Sequence, residues 1–169
     1  MSQSLGAHYF AVIRSNMEFT LRMVGEDLTQ EQACFTLPCS TSNIAWILGH
    51  LAQTGDGFVG PLLGRSPELP PEYPTLFGIG SNPTAPDYKM PPLRVLKLRF
   101  RQVHEDLARR IEVMSDEELN APVPDDHPAR RMIAKTSDAL AMLIYHMGYH
   151  AGQIAFLRRS QGLKGGMGV

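Results

Sequence analysis

A chain of 169 residues, 43% hydrophobic and 20% charged, is one domain's worth of sequence with enough apolar material for a real core. Sixteen Lys and Arg stand against 17 Asp and Glu, a formal charge of −1, which argues against nucleic acid or an anionic membrane as the main partner. No apolar run approaches the ~20 residues of a spanning helix, and Met1 to His8 lacks the charged-then-apolar order of a secretion signal. A single domain over residues 1–169 in the cytoplasm is expected.

Four segments carry helical periodicity, and none shows sustained alternation. In the first, Leu5, Tyr9, Val12, Asn16, Phe19 and Met23 step by four and three, predicting a helix that ends near Leu28. Asn16 on that seam reads as an amide that sets bundle register. Thr29 to Gln32 has the form of a capping box opening a short turn. Cys34 and Cys39 follow in a polar connector, too few for a disulfide framework and too widely spaced for a redox or zinc-ribbon pair. They read as reduced thiols.

Thr41 and Ser42 are the expected N-caps of a second helix running from Asn43 to about Leu63. The third follows Pro91-Pro92, where proline suits a first turn, and its stripe is Leu93, Leu96, Phe100, Val103, Leu107 and Ile111. Ser115 to Glu118 forms another capping box, kept short by Pro122 and Pro124. The fourth helix begins after Thr136-Ser137, carries Leu140, Leu143, Met147, Ile154 and Leu157, and stops near Gly162. Arg158 and Arg159 near its end read as solvated charges that favour the helix dipole.

Between helices two and three lies a long Pro- and Gly-rich connector, residues 64–90. Helices of ~20 residues are ~30 Å long, and a chain that runs back along one before starting a parallel neighbour needs such a crossover. The expected fold is therefore all-α: helices one and two antiparallel, two and three parallel, three and four antiparallel.

Chemistry points to histidine, because other signals are absent. There is no Gly-rich phosphate loop, no Gly-x-Ser-x-Gly elbow and no Cys-x-x-Cys. His104-Glu105 opens like a zinc-protease motif, but its partner position holds Ala108. His146 and His150, four apart, stack on one helical face that also holds Met147, Ile154 and Leu157. As a pair they read equally as neutral packed rings or as metal ligands. His50 tips the balance. It lies on the buried face of helix two with Trp46, Thr54 and Gly57 flanking it, and three core-facing histidines are explained economically by one divalent ion.

Trp46, Thr54 and Gln153 are read as substrate contacts or as partners that orient the ligands. Tyr145 and Tyr149 are turned away from the histidine face and suit packing or a subunit interface. His8, His104 and His127 read as surface or structural residues.

Trp46-x-x-x-His50-Leu51 on one helix, with His146-x-x-x-His150-Ala151-Gly152-Gln153-Ile154 on another, resembles the DinB-like (DinB/YfiT) family of four-helix bundles. Leu28 to Glu31 and Asn43 to Leu51 extend the similarity over nearly the whole chain. The resemblance implies an up-down-down-up bundle, a metal site of His50, His146 and His150, and a homodimer. Zinc and nickel are among the family's metals. Its members include bacillithiol-dependent S-transferases, a mycothiol-dependent isomerase and relatives in thiohistidine biosynthesis. The expected function is a metal-dependent thiol S-transferase acting on a small electrophilic substrate, with a low-molecular-weight thiol as cosubstrate. A metal-dependent hydrolase and a non-enzymatic, metal-stabilised binding module are the alternatives.

Overall fold

The computed structural model describes residues 4–38, 40 and 42–166. Cys39 and Thr41, read above as a thiol and a cap, lie outside them. Four long helices form the frame: α1 (Leu5–Val24), α2 (Ile44–Thr54), α3 (Leu93–Glu112) and α4 (Thr136–Arg159). Past Thr54 the α2 segment continues as a π-turn, Gly55–Val59, and a 3₁₀ turn, Gly60–Leu63. Short helices at Gln30–Ala33 and Asp116–Asn120 open on the two capping boxes read from sequence.

Contacts at the helix ends fix the directions. Lys97, early in α3, donates to the carbonyl of Gly25, just past α1, so α1 and α3 run antiparallel. Tyr9 reaches the Ser137 carbonyl, and Arg158 reaches that of Val24, so α1 and α4 run parallel. Arg110 near the end of α3 bonds Leu63 at the end of the α2 segment, which makes those two parallel. The result is an up-down-down-up bundle. Its neighbours differ from those the loop lengths imply: α1 and α2 each pack on both α3 and α4. The antiparallel pairs α1/α2 and α3/α4 therefore stand across the diagonals.

Local chemistry corrects several boundaries. The first helix stops at Val24, not Leu28, because Gly25 adopts φ 74°, a left-handed geometry that glycine takes without strain. Its core face holds Ile13, Met17, Leu21 and Val24, while Tyr9, Val12, Asn16 and Phe19 are half-buried flanks. Apolar residues on both sides of the true seam blur its phase. Asn16 donates to Val12 of its own helix, a bond that does not itself set register between helices. Asn43 caps α2, its Oδ1 accepting from the Trp46 N–H at 2.8 Å. The fourth helix starts two residues early, at Thr136, with the Asp138 carboxylate taking the N–H groups of Ala134 and Lys135.

Arg158 is a larger correction. It is buried, not solvated, and forks onto both oxygens of Asp27 at 3.0 and 2.9 Å while also bonding the carbonyls of Val24 and Lys164. That guanidinium pins the end of α4 to the end of α1 and holds the Asp27 carboxyl below the usual carboxylate range. Arg159 is exposed, as expected of a solvated terminus.

The 64–90 crossover is folded down. Its Tyr73–Phe77 helix buries Tyr73 and Phe77 against α2, and the Tyr88 hydroxyl closes the loop on the Leu76 carbonyl at 2.6 Å. Phe77 fits because residue 49 is glycine: a Cβ there would stand 2.3 Å from the Phe77 ring. Among the described residues, no helix is long and apolar enough to cross a membrane.

Candidate metal centre

The site is built where the middle of α2 meets the middle of α4. His50 and His150 are buried and His146 is half-buried, so burial is the largest influence on each ring and disfavours its cation. His146 is pushed down to about 4, with the nearby His50 adding to the effect. His150 falls to about 3, helped by His146 and His50 and opposed by its bond to Gln153. All three rings are neutral at pH 7.

Their outer nitrogens decide which atoms face inward. His50 Nδ1 lies 2.8 Å from the Phe77 carbonyl, which can only accept, so this nitrogen carries the proton and Nε2 is a lone pair. His150 Nδ1 lies 2.7 Å from Gln153 Oε1, and the Gln153 amide nitrogen donates to the Tyr149 hydroxyl at 3.0 Å. His150 Nε2 is thus the free lone pair as well. Both point at His146 Nε2, at 3.2 Å from His50 and 3.0 Å from His150.

Converging lone pairs repel, and one ring proton can bridge only one of the two gaps. A cation satisfies all three nitrogens. Ligands about 2.0–2.1 Å from a shared ion and about 90–109° apart stand about 2.8–3.4 Å from one another, which covers both separations. His50, His146 and His150 are a set able to hold a metal ion, with candidate ligand atoms all within 4.8 Å of one another. Neutral imidazoles with a carbonyl and an amide behind them are compatible with a divalent metal ion.

A family model described as the DinB superfamily matches residues 17–154, which include all three histidines. The chain belongs to the DinB superfamily. No curated protein matches it.

The other residues singled out in the sequence divide. Trp46 stacks on His50, with ring centroids 4.6 Å apart and 8° between planes, and donates its Nε1–H to Ser81 at 2.8 Å. Gln153 bonds His150 directly. Thr54, at the end of α2, is half-buried and is not among the residues lining the cavity beside His50. That cavity, of 460 Å³, is bounded by Trp46, His50, Ser42 and the Ile79–Pro83 stretch of the crossover. Tyr145 and Tyr149 are exposed, and the Tyr149 ring stands edge-on to His150 with centroids 5.1 Å apart. His8 is exposed, and His127 joins the Phe58 carbonyl to the turn it caps.

Three contributors escaped the sequence reading. Phe77 acts through a carbonyl, which every residue carries and no motif marks. Ser81 lies 35 residues from the indole it receives. Tyr149 did leave a signal, its i,i+4 spacing to Gln153. His104 reads as surface or structural, and the structure decides for structural. It is wholly buried, with Nδ1 donating to the Phe100 carbonyl at 2.8 Å, and burial pushes it down to about 4.

Proposed function

We propose that this chain is a metal-dependent thiol S-transferase acting on a small electrophile, with zinc or nickel held by His50, His146 and His150. The observation that carries the reading is the 460 Å³ cavity bordering His50. A purely structural metal is closed off by protein, whereas a catalytic one keeps an approach for substrate. A hollow of a few hundred Å³ suits a small molecule. When bound, the ion supplies Lewis-acid activation, lowering the pKa of a thiol or water at its open position.

The protein's own groups do the rest. Three neutral ligands leave the ion's full charge available. Phe77 and Gln153 fix the rings that hold it, and Trp46, stacked on His50, gives that ring an apolar wall. Trp46 and Ile79 offer apolar contacts to the electrophile, while Ser42, Ser81 and Asn82 are polar groups at the same rim. In the reaction the thiol sulfur forms a bond to carbon as the bond from that carbon to halide or epoxide oxygen breaks. A halide leaves as its anion while the thiol proton passes to water; with an epoxide the proton ends on the opened oxygen as a hydroxyl. We also propose that two copies associate through the outer face of α4, where Tyr145, Tyr149 and Phe156 are exposed.

The test is a screen of metal-loaded protein with cellular thiols against chlorinated and epoxide electrophiles, with His50→Ala as the blank. Thiol-dependent turnover in the wild type alone is expected. Equal rates in both overturn the transferase reading, and ester or amide hydrolysis without thiol moves the assignment to a hydrolase. Sedimentation of Tyr145→Glu should give a monomer where the wild type gives a dimer.

A further inference from the structure

A second cavity adjoins the one beside His50. It measures 200 Å³ and lies where the chain entering α2 meets the last turns of α4. Leu37, Phe156 and Leu157 give it apolar walls, and Ser40, Ser42 and Gln153 are its polar ones. Ser42 is a wall of both cavities, so the two meet across that residue.

Gln153 ties this cavity to the metal centre. Its side chain lines the hollow, while its Oε1 accepts from His150 Nδ1 at 2.7 Å. The second cavity therefore stands one side chain away from a candidate metal ligand. The two hollows also differ in character. Beside His50 the rim carries Ser81 and Asn82 as well as Ser42. In the second cavity Gln153 already bonds His150 through its carbonyl and Tyr149 through its amide, which leaves the two serines as its uncommitted polar side chains. Leu37 is half-buried and Phe156 is 54% exposed, so both have apolar surface left to give to a ligand.

An apolar cavity of about 150 Å³ holds a benzene ring, so a hollow of 200 Å³ takes one ring or a short alkyl chain. Covering Leu37 and Phe156 with such a group is favourable, whereas a charged group there would lose water and gain no partner. We infer that the electrophile carries a short apolar arm, one aromatic ring or about four to six alkyl carbons, that passes Ser42 and fills this cavity while the reacting carbon stays beside His50. The placing of the reacting carbon rests on the transferase reading; the pocket for the arm rests on the cavity. Selection among electrophiles is then made by the arm, at a distance from the bond that breaks.

The test is a titration of zinc-loaded protein, labelled at its Ile and Leu methyl groups, with the vicinal diols derived from propene, hexene and styrene. These are unreactive and carry arms of increasing size. Each methylene buried should add about two- to fourfold in affinity, so the hexene and styrene diols should bind about tenfold or more tightly than the propene diol. They should give saturable shifts at Leu37 and Leu157, whereas the propene diol should move Ile79 alone, on the rim of the first cavity. Leu37→Trp fills the cavity and Phe156→Ala strips one wall. Each should cut the hexene-to-propene affinity ratio by about threefold or more; if one fails to fold, the other decides. The inference is overturned if no diol saturates, if the three bind equally, if Leu37 and Leu157 stay silent while Ile79 shifts, or if the folded variants keep the wild-type ratio. Failure of the transferase reading looks different: the matching epoxides give no thiol-dependent turnover, while the diols still fill the cavity.

Discussion

His50 is oriented by Phe77, whose carbonyl oxygen lies 2.8 Å from its Nδ1, although the two residues are 27 positions apart. The crossover thus reaches into the histidine site through its backbone, and the contact depends on Phe77 resting over Gly49. Gly49→Ala places a methyl carbon 2.3 Å from that ring, and the aromatic must move. The expected outcome is a loss of metal affinity of about 10-fold or more together with about 1–3 kcal/mol of stability. Competition with a chromophoric chelator and a urea melt measure the two. Unchanged affinity would show that the carbonyl does not orient the ligand.

Gln153 does for His150 what Phe77 does for His50. Gln153→Leu removes the acceptor on Nδ1 and should lower metal affinity by about 10- to 100-fold with little change in fold. Tyr149→Phe leaves Gln153 in place but frees its amide, so its effect should be smaller and in the same direction. The order of the two variants is the measurement. A larger loss in Tyr149→Phe contradicts the relay.

The pH dependence of metal binding follows from the buried rings. An ordinary histidine competes with metal for protons near pH 6.5. Here His146 and His150 take up protons only at about 4 and about 3. Apparent affinity is expected to stay nearly flat through pH 6.5 and to fall steeply toward pH 4. A midpoint of metal release near 6.5 in a chelator titration would mean that the rings are solvated.

His104 makes the fold itself acid-sensitive. Its folded pKa, about 4, lies below the ordinary 6.5 of an unfolded chain. Between those values the unfolded state binds a proton that the folded state refuses, so stability is constant above 6.5 and is lost as pH falls toward 4. The whole window is worth about 3 kcal/mol at most. Among the described residues Nε2 of His104 is buried without a partner, so His104→Leu should cost little or nothing at pH 7.5. Melts across pH 4 to 7.5 should show the variant losing less stability than the wild type. Parallel curves for the two proteins would refute the assignment.

What the sequence determined by itself is what is periodic and local. The stripe from Leu93 to Ile111 is the buried face of α3. Thr29 and Ser115 cap the turns they open. His146 and His150 share a face because four residues make about one turn, and the long crossover implied parallel second and third helices. The phase of α1 was less legible, since Tyr9, Val12 and Phe19 border the core they do not enter. Tertiary structure decided everything that joins distant segments: the Phe77 carbonyl on His50, Arg158 turned inward onto Asp27, the placing of α1 and α2 across a diagonal, and the burial of Asp56 and His104. The physical reason is that helical periodicity fixes which face of a segment is apolar, whereas a backbone acceptor, a buried charge or a choice of neighbouring helix takes its meaning only from the surface packed against it.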